Sequence, residues 1–94
     1  MSATVTISGG AVSPSSVTIA RGGTVTFVNN DTVSHQIDSN PHPVHTDCPE
    51  INQVGFLAAG QSKTTGALNT ARSCGFHDHL NATLAAMQGT IMIQ

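Results

Sequence analysis

Tryptophan and tyrosine are absent from this 94-residue chain, and three phenylalanines are its only aromatic residues. Charged residues make up 9% of the sequence, and the formal net charge is −2. The basic residues are only Arg21, Lys63 and Arg72, too few to form the cationic surface that a phosphate backbone requires. Apolar runs last a few residues, whereas about 20 are needed to cross a bilayer. We therefore expect neither nucleic-acid binding nor membrane insertion. No charged-then-apolar leader sequence precedes Ala3.

Alternation of apolar and polar residues is the main structural signal in the sequence. Apolar residues occupy every second position in 3–7, 17–19 and 24–27, and the pattern continues in 33–37 with a histidine at its middle position. A period of two predicts strands with one buried face. Gly22-Gly23 predicts the turn of a hairpin between residues 17–19 and 24–27. Further predicted strands are an edge strand at 62–68, one at 74–78 and a short last strand at 90–93. A chain of this length buries about 60–65% of its unfolded surface, so we expect a single domain over residues 1–94. We also expect the protein to be a monomer.

All five histidines lie in two short stretches of the chain. His35 continues the alternation of Val33 and Ile37, which places its imidazole among apolar neighbours. Residues 38–52 predict a long loop, because they lack periodicity and contain three prolines that fix the backbone. The loop carries His42, His45 and Cys48, and one of its prolines is Pro43.

The histidines are candidate metal ligands, because neutral imidazole suits copper, zinc and nickel. Two of them, at positions 77 and 79, would face the same way on a strand. Nearby acceptors for their second ring nitrogens are Asp38, Asp47 and Asp78. The alternatives are a packed histidine at 35, an incidental pair on a solvated strand end, and a polar loop that hydrogen-bonds to itself. The candidate ligands are His35, His42, His45, His77 and His79.

Two segments of the chain carry a resemblance to a known family. Residues 13–31, Ser-Pro-Ser-Ser-Val-Thr-Ile-Ala-Arg-Gly-Gly-Thr-Val-Thr-Phe-Val-Asn-Asn-Asp, followed by His35, resemble the first half of the cupredoxins, the plastocyanin and azurin family. Residues 87–93, Met-Gln-Gly-Thr-Ile-Met-Ile, resemble its last strand. The resemblance implies an all-β Greek-key β-sandwich of cupredoxin type, with a copper site at one pole and His35 as the first ligand. Residues 40–47 and 76–81 also resemble a His-rich subgroup of small bacterial members.

The remaining ligands depend on how the middle of the chain aligns with the family. In one alignment Cys74 and His77 form the family's Cys-x-x-His pair. With His35, and with Met87 as a weak axial ligand, they would form a mononuclear blue copper site. This alignment requires a threonine and an arginine to face the core before the cysteine.

The second alignment follows the strand register, and we favour it. Cys74 and Phe76 then take two aromatic positions of the family pattern, Asp78 stands where the ligand cysteine should be, and Asn81 stands where the second histidine should be. The thiolate would be missing, and the copper form would not be blue. In this alignment we expect one copper bound through His35 with help from the histidines at 77 and 79.

The second alignment also leaves the two cysteines free to pair. A Cys48–Cys74 disulfide would tie the loop to the penultimate strand, stabilise the fold by about 3–4 kcal/mol, and indicate an oxidising, extracytoplasmic (periplasmic or secreted) compartment. The alternative is two unpaired buried thiols.

Three classes of function remain open at this point. The first is a small copper-binding protein that handles copper or transfers single electrons to a redox partner protein; a site without thiolate suits handling better. The second is a copper-dependent redox enzyme, because His-x-His on a β-sandwich is locally similar to copper-zinc superoxide dismutase. The third is a metal-free structural sandwich. Little else in the sequence supports an enzyme, because no Ser-His-Asp set, Gly-rich phosphate loop or pair of catalytic glutamates is evident. The question of an enzyme stays open, and we expect that the protein is not one.

Overall fold

The structure is a computed structural model that describes residues 2–42 and 44–94. Pro43, one of the loop prolines, lies outside the described residues. The described strands are β1 (Ser2–Ser8), β2 (Ala11–Ser13), β3 (Ser16–Ile19), β4 (Thr24–Asn29), β5 (His35–Ser39), β6 (Gly55–Leu57), β7 (Ser62–Thr64), β8 (Arg72–Asp78) and β9 (Gln88–Ile93). Short 3₁₀ helices span Pro49–Gln53, His79–Asn81 and Ala85–Met87. Within the described ranges, no helix has the length and apolar character needed to cross a membrane.

The strands form two sheets that pack face to face. One sheet has the strand order β2-β1-β4-β7, and the other has the order β3-β9-β8-β5-β6. β1 runs parallel to β4, and β3 runs parallel to β9, while the other neighbouring strands are antiparallel. The prediction of an all-β sandwich is confirmed.

The core lies between the sheets and follows the predicted alternation. Val5 and Ile7 of β1 and Phe27 of β4 are fully buried from one side, and Phe76 of β8 is fully buried from the other. The rings of Phe27 and Phe76 meet edge to face, with centroids 5.0 Å apart and an interplanar angle of 83°. Edge-to-face contact is a favoured arrangement for two aromatic rings. These two phenylalanines therefore join the sheets at the centre of the sandwich.

The predicted hairpin between residues 17–19 and 24–27 is wrong. β3 pairs with β9 in one sheet, whereas β4 pairs with β1 and β7 in the other. The glycine turn itself is present: Gly22 has φ +85°, and the Gly23 N–H donates to the Ala20 carbonyl at 3.0 Å. The turn therefore carries the chain from one sheet to the other. Alternation marks a strand and its buried face, but it does not identify the neighbouring strand.

Strand boundaries differ from the predictions at two places. The strand expected at 33–37 begins at His35, because residues 30–34 form the connection that precedes it. The edge strand expected at 62–68 is shortened to Ser62–Thr64, and it does lie at the edge of its sheet. Edge strands in proteins are often short, which limits pairing with other chains.

The predicted disulfide between Cys48 and Cys74 is confirmed. Both cysteines are buried, and their Cα atoms are 6.1 Å apart. Cys48 immediately precedes the first 3₁₀ helix, and Cys74 lies on the inner face of β8, so the bond attaches the loop after β5 to the sheet. Because both thiols of the chain are used in this bond, Cys74 is not available as a copper ligand. The alignment that made it one is therefore wrong.

We predict that replacing both cysteines (Cys48→Ala with Cys74→Ala) lowers the free energy of unfolding by about 3–4 kcal/mol. The reason is that the unfolded chain regains the freedom of a loop of 26 residues, and loop closure of this length contributes that much in the chain-entropy model. Urea unfolding of both proteins measures the difference. Alkylation of denatured, unreduced wild-type protein is the control, and two labelled thiols there would contradict the pairing.

Candidate metal centre

Four histidines from three segments of the chain converge on the outer surface of one sheet. Their metal-binding nitrogens all lie within 4.8 Å of one another. Two come from the loop after β5, one from β8, and one from the first residue of the 3₁₀ helix that follows β8. These residues are His42, His45, His77 and His79, and we call them the histidine cluster.

Strand pairing and loop folding explain why these residues meet. His77 lies opposite Asp38 of β5 in the antiparallel register, and both side chains point away from the core because the residues before and after them point inward. The loop then turns back over this face, where the His45 N–H donates to the Pro41 carbonyl at 2.7 Å. The histidines from the loop are thereby placed above the strand that carries His77.

Two nitrogen–nitrogen distances in the cluster suit ligands of one metal ion. His45 Nε2 is 3.1 Å from His77 Nε2 and 3.2 Å from His79 Nδ1. Two nitrogens bound to one ion at 2.0–2.1 Å in a tetrahedral arrangement are about 3.3 Å apart, and adjacent ligands in a square-planar arrangement are about 2.9 Å apart. The observed distances lie close to these values. The ring of His42 completes the group, with its centroid 4.8 Å from that of His79.

The backbone at His45 is held in an unusual conformation. Its φ is +54°, in the left-handed region that residues with a side chain seldom occupy. The side-chain N–H of Asn52 donates to the His45 carbonyl at 2.8 Å, and the side-chain oxygen of Asn52 accepts from the Ser39 N–H at 2.8 Å. Such conformations persist where surrounding contacts enforce them, and they concentrate at functional sites.

The surroundings of His77 favour its neutral imidazole, the form that binds metal. Burial lowers the pKa of His77, and the neighbouring rings of His45 and His42 lower it further. The carboxylate of Asp38 lies at the edge of the cluster, 3.8 Å from His45 Nδ1 and 4.0 Å from His79 Nδ1. It is buried and accepts a hydrogen bond from the Gln36 amide at 2.9 Å. A bound cation would therefore find one negative charge beside four nitrogen ligands.

His35, the fifth predicted ligand, does not lie in the histidine cluster. It sits on the inner face of β5, opposite in direction to Asp38, and it is 3% exposed. Its Nδ1 donates to Asp78 Oδ2 at 2.6 Å, and its Nε2 donates to Asp31 Oδ2 at 2.9 Å. Both ring nitrogens are bound to carboxylates, so neither offers a lone pair to a metal. The arrangement is an imidazolium held between two anions.

The charges around His35 stabilise one another. Burial alone would lower the pKa of His35, but the hydrogen bonds to Asp78 and Asp31 outweigh it and raise the pKa above 6.5. Burial alone would likewise raise the pKa of Asp78, but the hydrogen bond from His35 and those from backbone N–H groups lower it. The hydrogen bond from His35 lowers the pKa of Asp31, as do those from the N–H groups of Gly10 and Gly9.

The residues at this pole do not fit the thiolate copper site that the family resemblance implies. Asp78 stands at the place of the ligand cysteine, and its carboxylate accepts from His35, from two backbone N–H groups and from Asn81. Asn81 offers an amide where the family has a second imidazole. Met87 is fully buried.

Sequence reasoning missed Asp31 as a partner of His35. Asp31 ends the run Asn29-Asn30-Asp31, which is typical of the end of a strand. Nothing local links Asp31 to the turn at Gly9-Gly10, whose N–H groups also donate to it. Asp47, predicted as an acceptor for an imidazole, is exposed and lines a small cavity beside Cys48 and Arg72.

Comparison with solved structures gives the fold. A purple cupredoxin from Nitrosopumilus maritimus is similar at 20% identity, with a TM-score of 0.76 over 98% of this chain and 99% of that one. Oxidised plastocyanin from Dryopteris crassirhizoma is similar at 18% identity, with a TM-score of 0.73 over 97% and 99%. Amicyanin from Paracoccus versutus is similar at 20% identity, with a TM-score of 0.78 over 99% and 81%.

Comparison by sequence adds no relative. No protein-family model matches the chain, and no curated protein matches it. The similarity therefore rests on the arrangement of the strands. The chain has the cupredoxin fold, a Greek-key sandwich of two sheets, and carries a cluster of four histidines on its surface.

We predict that the free energy of unfolding is greatest near pH 6.5. The raised pKa of His35 contributes stability that is complete below 6.5 and is lost as the pH rises through the folded-state pKa. The lowered pKa of His77 acts in the other direction, because below 6.5 the unfolded chain binds a proton that the folded protein does not. Denaturant unfolding between pH 5 and 9 measures the profile.

Two variants separate these contributions to the pH profile. His35→Gln should lose the decline on the alkaline side, and it should unfold more easily at pH 6.5 by about 3 kcal/mol, because Asp78 is left buried without its cation. His77→Gln should lose part of the decline on the acidic side. An alkaline decline that is unchanged in His35→Gln would show that His35 is not the group responsible.

Proposed function

We propose that this protein binds one Cu(II) ion through the histidine cluster and serves in copper binding and handling. The observation that supports this most directly is the convergence of four imidazoles within 4.8 Å. His77 is anchored on a strand, His79 directly follows it, and the loop that carries His42 and His45 is fixed to the sheet by the disulfide. A site built in this way loses little conformational freedom when it binds a metal.

Ligand chemistry favours copper over other divalent ions. Four nitrogen ligands suit zinc, nickel and copper, and among these divalent ions copper binds a given set of nitrogen ligands most tightly. Square-planar or tetragonal nitrogen coordination is typical of Cu(II).

A handling role agrees better with this site than electron transfer does. The described site contains no thiolate, because both cysteines are in the disulfide, and the fast exchange of blue copper sites depends on the copper–thiolate bond. His42 is exposed, and the side chain of His79 is 35% exposed. An incoming ligand from another molecule can therefore reach the metal position. Bound copper would supply a Lewis-acidic, redox-active ion.

The proposal includes an extracytoplasmic location. Disulfides form and persist in oxidising compartments such as the periplasm or the exterior of the cell. The bond between Cys48 and Cys74 holds the loop that carries two of the proposed ligands. A reducing compartment would therefore loosen the site, and an oxidising one would keep it assembled.

We predict that wild-type protein binds one equivalent of Cu(II), and that His45→Ala or His77→Ala weakens the affinity at least about tenfold, which is about 1.4 kcal/mol. Each substitution removes one nitrogen ligand from the cluster. His35→Gln is the matched control, because its ring is bound to Asp78 and Asp31 on the other face of the sheet. Titration against a competing chelator measures the affinities, and circular dichroism confirms that each variant is folded.

Two results would contradict the proposal. One is copper affinity in His77→Ala equal to that of wild type. The other is a large loss of affinity in folded His35→Gln, which would move the site back to the pole of the sandwich.

We also predict that the copper form is not blue. With nitrogen ligands only, Cu(II) should show weak visible absorption and wide hyperfine splitting in its EPR spectrum, because the intense colour of blue sites comes from thiolate. The double cysteine variant should give the same spectrum in its folded state. Intense colour that is lost in the variant would mean that a cysteine binds the metal and that the disulfide is not present in the copper form.

A further inference from the structure

Asn40 connects three parts of the metal centre. It directly follows β5, and its backbone N–H donates to the Gly75 carbonyl of β8 at 3.0 Å. Its own carbonyl accepts from the Asp47 N–H at 2.9 Å, and this bond closes the loop that carries His42 and His45. Its side-chain oxygen Oδ1 lies 2.7 Å from Nδ1 of His77. One residue therefore touches the loop, the strand and a member of the cluster.

The hydrogen bond between Asn40 and His77 fixes which nitrogen of His77 carries the proton. An amide oxygen only accepts hydrogen bonds, so Nδ1 of His77 must be the donor. A neutral imidazole has a single N–H, so Nε2 is left with a lone pair. Nε2 is the atom that lies 3.1 Å from His45 Nε2, inside the cluster. The amide thus directs the lone pair of His77 toward the metal position.

Gly75 provides the space that this amide occupies. Residues 75 and 77 lie on the same face of β8, and Gly75 has no side chain there. A Cβ atom built at Gly75 would collide with the amide nitrogen of Asn40 and would lie 3.0 Å from its Cγ. Any larger residue at this position would displace the amide from His77.

We infer that Asn40 is a positioning residue that holds His77 in the tautomer with the proton on Nδ1, and that Gly75 is required for this placement. The consequence of this placement, metal binding through Nε2 of His77, rests on the proposed function. Acceptors for the second nitrogen of a metal-binding histidine commonly change metal affinity by 10–100-fold. The tautomer itself is a property of the metal-free protein and can be measured without any metal.

The first test is the ¹⁵N NMR spectrum of the histidine rings in metal-free protein at pH 8. For wild type, His77 should show a protonated Nδ1 and an unprotonated Nε2. Asn40→Ala should shift His77 toward a mixture of tautomers, whereas Asn40→Asp keeps an acceptor oxygen and should preserve the wild-type pattern. Asn52→Ala is the matched control, because Asn52 also holds the loop but does not touch His77.

The second test is Cu(II) affinity in the same variants. Asn40→Ala should weaken Cu(II) binding about 10–100-fold, whereas Asn40→Asp should bind Cu(II) with an affinity close to that of wild type. For Asn52→Ala the deciding readout is the His77 tautomer, which should not change. Gly75→Ala should resemble Asn40→Ala. Because it acts by displacing the amide, it should add little in the Asn40→Ala background, which is the signature of two residues that act through one contact.

The outcomes separate this inference from the proposed function. A wild-type protein that binds no Cu(II) would refute the proposed function, while the NMR comparison would still decide the role of Asn40. A wild-type spectrum with the proton on Nε2, or a His77 tautomer that Asn40→Ala does not change, would overturn the inference even if copper binds. Additive effects of Gly75→Ala and Asn40→Ala would overturn the part assigned to Gly75.

Discussion

The alternation of side chains along β8 is the constraint on which the rest of the site depends. Cys74, Phe76 and Asp78 point into the sandwich, whereas Gly75 and His77 point out of it. The inward residues supply the disulfide, the aromatic contact at the centre of the core and the acceptor for His35. The outward residues supply one member of the histidine cluster and the gap beside it. A shift of one residue in this strand would exchange the two sets, because the period of a strand is two.

At the pole of the sandwich, an internal cation stands in the region where the resemblance to cupredoxins implies copper. The imidazolium of His35 joins Asp78, at the end of β8, to Asp31, which in turn binds the turn between β1 and β2. Breaking such a buried pair leaves an unpaired charge, which costs several kcal/mol. The pole is therefore held together by the protein's own charges. Under the proposed function, metal chemistry takes place on the outer face of the same sheet, separate from this ion pair.

The loop that carries two of the clustered histidines is fixed at several points before any metal binds. The disulfide attaches Cys48 to β8, and Ser39 accepts the Cys48 N–H at 2.7 Å. Asn52 holds the backbone of His45 in its left-handed conformation, and Asn40 ties the start of the loop to β8. Each of these contacts reduces the freedom that metal binding would otherwise remove, so the folded chain itself provides the organisation of the cluster.

The sequence by itself determined the features that depend on local pattern. Alternation placed the strands and their buried faces, and the register at Cys74 indicated both the disulfide and the missing thiolate. Tertiary structure decided which strands are neighbours. The glycine turn at 22–23 therefore joins two sheets, because long-range pairing, which the local pattern does not contain, determines the partner of each strand. It also decided that His35 binds two carboxylates while four other histidines converge. Those partners lie up to 43 residues apart in the chain, and only the packing of the whole sandwich brings them within hydrogen-bonding distance.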